Sequence, residues 1–198
     1  MRIGILGGTG PAGSALAARL ASIGYPAVIG SRSADRAVEI AREFVIKFPE
    51  LDGLLTGGDN AAASACDLVV IATPWDSAAT TVQDNADALA GKVIISMANA
   101  LVRVAGEFQP LLPPRGSVAA HIQAAVPRSR VVAAFHHLPA KELGHIGEPI
   151  DSDVLICSDD PSALRQLAIP PSLALARPIG PSRSLASSSS SFPNSTVC

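Results

Sequence analysis

Three groups of residues have the types and spacing to do chemistry. The first is Gly8-Thr9-Gly10-Pro11-Ala12-Gly13, a G-x-G-x-x-G spacing directly after the apolar run Ile3-Gly4-Ile5-Leu6. In such a turn the first glycine permits the tight bend and the second lets a pyrophosphate approach the backbone. The third lets the following helix pack closely on the strand. N–H groups at the helix start, with the positive end of its dipole, then hold the phosphates. The second group is Ser31, Arg32 and Arg36, placed about twenty residues after the turn, where a dinucleotide fold selects its ribose. An Asp or Glu there accepts from the ribose hydroxyls of NAD, whereas a hydroxyl and two planar guanidinium forks suit a 2′-phosphate. Without the glycine turn, Arg32 and Arg36 read as solvated residues on a helix capped by Ser33. With it, they point to NADP.

The third group is the pair His136-His137. Neighbours on an extended segment point in opposite directions, and no Cys, Asp or Glu stands beside them at ligand spacing, which argues against a shared metal. One ring is expected to face a ligand crevice as an orienting hydrogen-bond donor and the other to be partly exposed. Cys66, Cys157 and Cys198 are odd in number and far apart, and read as free thiols. Neither a metal site nor a catalytic side chain is expected.

The elements that must position these residues follow from the apolar pattern. Residues 14–23 carry Leu16, Leu20 and Ile23 at helical spacing before Gly24, so strand, turn and helix come in the required order. Residues 27–30 read as a second strand and 34–48 as a helix stopped by Pro49. A short strand is expected around Leu54 and Leu55 and a short helix over 59–65. The continuous run Leu68-Val69-Val70-Ile71-Ala72-Thr73 is that of a parallel strand covered on both faces. Its end, Thr73-Pro74-Trp75, falls where the cofactor passes in a doubly wound fold, with Trp75 either packing under the next helix or stacking on the cofactor. Asp76 is read as the cap of a helix over 77–89, residues 92–96 as the next strand, and Met97-Ala98-Asn99 as another crevice segment. Residues 102–114 form an excursion, 117–126 a helix, 131–134 a strand leading into the histidines, 153–157 a last strand, and Asp159-Asp160-Pro161 the start of a helix.

The fold class expected is therefore α/β, a Rossmann-like doubly wound and mostly parallel sheet, with residues 1–158 as the NADP-binding domain. Residues 159–198 make an atypical, incomplete C-terminal segment. From about residue 170 Pro, Ser, Ala and Arg dominate, with serines throughout 187–191, and disorder or loose docking is expected. The 198 residues, 48% hydrophobic, suffice for one full domain. A formal net charge of -2 argues against nucleic-acid binding, and the absence of an apolar run of ~20 residues or a signal-like N-terminus points to a soluble cytoplasmic protein.

Several motifs together resemble the NADPH-dependent reductases of the deazaflavin coenzyme F420. They are Gly7-Gly8-Thr9-Gly10, Gly30-Ser31-Arg32, Ala65-Cys66-Asp67, Pro74-Trp75, His136 with Leu138-Pro139-Ala140, and Asp159-Asp160, and the resemblance spans roughly residues 1–163. It implies that residues 9–12 bind the NADP pyrophosphate and that Ser31, Arg32 and Arg36 hold the 2′-phosphate. It further implies that Thr73, Pro74 and the neighbourhood of Asn99 line the cofactor path, with His136, Leu138 and Ala140 around the nicotinamide. The activity implied is direct hydride transfer between NADPH and an 8-hydroxy-5-deazaflavin, catalysed by stacking the two rings and excluding water. The partners are small-molecule coenzymes, and a homo-oligomer is expected if the C-terminal region folds. The departure from the family is the tail: Arg177-Pro178-Ile179-Gly180 is the nearest echo of an Arg-Pro-Leu-Asp-Ala-Gly segment. The composition beyond it is that of a shifted reading frame in GC-rich coding sequence, a hypothesis that sequencing the gene tests. Two other functions fit the same residues: an NADP-binding module without turnover, and a Rossmann reductase of another small substrate such as a cyclic imine.

Overall fold

The computed structural model describes residues 1–150 and 152–167. Its central sheet begins with β1 (Ile3–Leu6), β2 (Ala27–Ser31) and β3 (Leu55–Asp59) and continues with β4 (Leu68–Ile71), β5 (Val93–Ser96), β8 (Arg130–Ala134) and β9 (Ile156–Cys157). The spatial order is β3-β2-β1-β4-β5-β8-β9. All pairs are parallel except the last, where β9 runs antiparallel to β8 through Ala133↔Cys157 and Ala134↔Ile156. The chain thus winds outward from β1 through β2 to β3, then returns to add β4 on the other side of β1. That reversal is the switch point where open α/β sheets bind ligands.

The period-2 alternation of side chains divides the core into two layers. Ile3, Ile5, Val70, Ile95 and Val132 face one layer, which is closed by α1 (Pro11–Ser22) and α2 (Ala34–Lys47). Leu6, Val69, Ile71, Ile94 and Val131 face the other, which is closed by α4 (Trp75–Gln83), α5 (Ala86–Leu89) and α6 (Val118–Ala125). Apolar strands without polar alternation are the consequence, since both faces are covered. The short α3 (Asn60–Ser64) crosses β1 so closely that a Cβ on Gly4 would lie 1.9 Å from the carbonyl oxygen of Ala63, so only glycine fits there.

The elements depart from the sequence reading in a few places. The first helix begins at Pro11 rather than at 14, because Pro at the first helical position is pre-set for the helix and lacks only a donor the helix would leave unpaired anyway. Asp76 is not a cap: Pro74 occupies that position and Asp76 lies inside the first turn. The helix expected over 77–89 is two helices, interrupted at Asp84-Asn85, where the Asn85 side chain donates back to the Thr81 carbonyl. The excursion after β5 contains a hairpin, β6 (Leu101–Val104) and β7 (Glu107–Pro110). Ala105 and Gly106 both take positive φ between them, as a two-residue hairpin turn demands. After α7 (Ala140–Leu143) and β9, α8 (Pro161–Leu167) places Ala163 and Leu167 in the layer shared with α1. The serine-rich tail, its expected disorder and the Arg177 motif lie outside the described residues.

Candidate functional site: a crevice at the carboxyl ends of five parallel strands

The glycine turn follows β1 and is built by long-range hydrogen bonds. Gly7, not Gly8, takes the left-handed conformation, with φ +67°, and a Cβ there would come 2.3 Å from Thr73 Cγ2. The tight bend that the sequence reading assigned to Gly8 is therefore made by Gly7. The Gly7 N–H donates to Asn60 Oδ1 at 3.2 Å, an anchor supplied from α3. The Gly8 N–H donates to the carbonyl of Gly30 at 2.8 Å, so it is spent on joining the turn to the end of β2. Gly10 is the N-cap of α1, extended at φ -76° and ψ 163°, and nothing lies within 4 Å of a Cβ built on it. At Gly13, by contrast, a Cβ would meet Ala72 Cβ and Gly8 Cα, each at 2.9 Å. Open space above the second glycine and tight packing at the third are the two conditions a pyrophosphate turn needs.

No side chain caps α1. The Ser14 hydroxyl and N–H both donate to the Gly10 carbonyl, at 2.9 and 3.0 Å, and the N–H groups of Ala12 and Gly13, in the first turn, have no intrahelical carbonyl to accept them. Thr9 and Ala12 are half-buried and Pro11 is exposed at the rim.

The Gly8–Gly30 bond puts the 2′-phosphate candidates beside this turn. Ser31 ends β2, is buried, and accepts from the Ser33 N–H at 3.2 Å. Ser33 caps α2 by accepting from the Arg36 N–H at 3.4 Å. Arg32 and Arg36 are both exposed, and the ion pairs among the described residues involve neither. A guanidinium pair without a carboxylate partner, next to the N-terminus of a helix, forms a local positive field suited to a dianion.

Thr73 follows β4 against the turn. Its Oγ1 is buried and has no hydrogen-bond partner among the described residues, as a group awaiting a ligand would be. Pro74 is exposed, and Trp75 packs on the α4 layer, in agreement with the packing alternative. Asn99, exposed beyond β5, donates from Nδ2 to the carbonyl of His136 and so ties the β5 and β8 ends together. The backbone turns sharply at Phe135, which is buried yet has φ 64°, a left-handed conformation that a bulky residue avoids unless its surroundings impose it.

His136 and His137 are both half-buried, so exposure does not separate them. Their rings meet edge to face at 5.3 Å. His137 is held by a 2.7 Å bond between Nε2 and the Asp153 carbonyl, and the Nδ1 atoms of both His136 and His137 are buried without a hydrogen-bond partner among the described residues. Burial, and then the neighbouring His137, push the His136 pKa below its ordinary value, so it is neutral near pH 7. The Leu138 side chain is buried in the α1 layer and Ala140 opens α7. Among the described residues no three His, Cys, Asp or Glu side chains gather as a metal site.

Two participants were not found from the sequence. Asn60 falls there only within a short helix over residues 59–65, and its reach to Gly7 depends on how α3 lies across β1. Arg19 falls there only within the helix over residues 14–23, yet it is only 6% exposed and donates to four carbonyls of residues 142–148.

A glycine turn at the switch point, an uncapped helix N-terminus and an adjacent pair of free guanidinium groups define a dinucleotide-binding Rossmann domain. The chain belongs to the family described as NADP oxidoreductase, coenzyme F420-dependent, whose model matches residues 2–100. It is 34% identical over 168 residues to the F420-dependent NADP reductase of Methanocaldococcus jannaschii, covering 82% of this chain and 75% of that one. It is also 34% identical over 174 residues to the enzyme of the same name from Methanothermobacter marburgensis, covering 83% and 75%. Among solved structures it is similar to one from Arthrobacter sp. FB24, provisionally assigned as an F420-dependent NADP reductase, at 29% identity and TM-score 0.69. That match covers 85% of this chain and 78% of the other.

Proposed function

We propose that this protein transfers a hydride between NADPH and an 8-hydroxy-5-deazaflavin coenzyme of the F420 type. The observation that carries the reading is the hydrogen bond from Gly8 to Gly30. It joins the glycine turn to the end of β2, beside Ser31, Arg32 and Arg36, in a chain 34% identical to reductases of that name, and so supports a single cradle for both phosphate groups. In this reading the N–H groups of Thr9, Gly10, Ala12 and Gly13 hold the pyrophosphate around Pro11, with Gly10 giving it room and Gly13 letting the helix pack closely on the strands. Ser31, Arg32 and Arg36 hold the 2′-phosphate, and Thr73, Pro74 and Asn99 line the path toward the nicotinamide. When bound, the nicotinamide supplies the hydride, and the deazaflavin ring takes it up with one proton from solvent. His136, Leu138 and Ala140 wall the ring-stacking space and exclude water, so the protein contributes positioning rather than a nucleophile. Residues 1–158 act as the NADP-binding domain, in the cytoplasm, with small-molecule coenzymes as partners.

The test is to mix the protein with NADPH and the oxidised deazaflavin and to follow the deazaflavin's visible absorbance. Its loss in proportion to NADPH oxidised is the expected outcome. NADPH binding without that loss would leave a binding module, and turnover of a cyclic imine in its place would leave an imine reductase.

A further inference from the structure

The chain that supplies His136, Leu138 and Ala140 does not end at the crevice. It continues as α7 and the loop 144–148, and this whole segment is fastened to the dinucleotide helix by one side chain. Arg19 lies eight residues beyond Pro11 on α1, about 12 Å along the axis at roughly 1.5 Å per residue. Its Nε donates to the Leu143 carbonyl at 3.0 Å and its Nη1 to Glu148 at 2.8 Å. Its Nη2 donates to Glu142 at 2.8 Å and to His145 at 2.7 Å. The acceptors include carbonyls of the last turn of α7, which no further helical turn satisfies. Around this fork Ala15, Leu16 and Leu20 of α1 share a buried cluster with Leu138, Leu143 and Ile150.

We propose that Arg19 is a positioning residue that locks the wall formed by residues 136–148 onto α1, so that the phosphate turn and the seat of the second ring move as one body. A guanidinium is suited to this and an ammonium is not, because only a planar fork reaches four carbonyls spread over seven residues. Arg19 touches neither coenzyme: it acts through the backbone it holds. The consequence for deazaflavin rests on the hydride-transfer reading above, while the mechanical consequence does not.

Arg19→Lys and Arg19→Met provide the test. NADPH affinity, measured by titration in the absence of deazaflavin, is expected to stay within about threefold. The KM for the deazaflavin is expected to rise about tenfold or more, because a wall misplaced by about 1 Å no longer holds the ring at reacting distance. Deuterium uptake of residues 138–150 should accelerate while β1, β4 and β5 keep their protection. Equal changes in both coenzymes' constants, or faster uptake throughout the sheet, would overturn the proposal by showing a stability role alone. The native protein gives an independent arm: NADPH alone should slow exchange in residues 138–150 as well as in the glycine turn, and slowing confined to the turn would overturn the coupling. If the native protein fails to reduce the deazaflavin, the exchange and titration results still decide the role of Arg19, and only the substrate assignment falls.

Discussion

At the scale of single residues, the site separates side chains that read a ligand from side chains that build the frame. Arg32 is exposed and free of carboxylates, so its removal should be felt by ligand and not by fold. Arg32→Ala is expected to weaken NADPH binding by about 1–3 kcal/mol, the range of a lost charge-assisted hydrogen bond, and to leave NADH binding nearly unchanged. Titration of both nucleotides checks it, and an equal loss for the two would show that Arg32 does not read the 2′-phosphate. His136 gives a pH dependence whose sign follows from its lowered pKa. Above the unfolded value of about 6.5 both states are neutral and the group is silent. As pH falls below that value the unfolded chain binds the proton first, so stability declines until the pH passes the lower, folded pKa. His136→Gln should flatten this decline, which urea midpoints measured from pH 7 downward would reveal. A decline unchanged in the variant would assign it to other groups.

At the scale of elements, the turn between β1 and α1 contains two glycines with opposite surroundings. Gly10→Ala adds a methyl to open space in a conformation any residue adopts, so the melting temperature should hold while NADPH affinity falls. Gly13→Ala pushes a methyl to 2.9 Å from Ala72 and Gly8, so it should cost about 1–3 kcal/mol of stability through overpacking, read as a lower urea midpoint at unchanged slope. A stability loss at Gly10 with affinity intact would remove the pyrophosphate reading. The elements themselves were legible where the signal is local. Leu68 to Ile71 are apolar without interruption because both faces are covered, and Ser33 caps α2 as its spacing before an amphipathic helix indicates. What stayed hidden depends on contacts across the chain. Asn60 meets Gly7 over a separation of 53 residues and Arg19 meets Leu143 over 124, and neither separation leaves a periodic trace. The left-handed turn at Phe135 was equally invisible, because packing imposes it against the residue's own preference.

At the scale of the whole molecule, the ends of five parallel strands bring the candidate residues to one edge of one sheet, so ligand binding should be registered by the cooperative unit as a whole. A ligand that binds only the folded state stabilises it by about 2.7 kcal/mol at a hundred times its dissociation constant. Thermal unfolding should therefore shift upward with NADPH at concentrations where NADH leaves it unmoved, and identical shifts would argue against 2′-phosphate selection. The same winding order bears on how the chain is made. Of the strands in this sheet β1 leaves the ribosome before the others, yet it lies in the middle of the sheet with β4 as one of its two neighbours. Between Leu6 and Leu68, at about 5–20 residues per second, the growing chain carries its central strand with an unpaired apolar edge for roughly 3–12 s. The strand that anchors the phosphate turn is thus also open to mispairing in the nascent chain, and synthesis through β4 is the step that closes its edge.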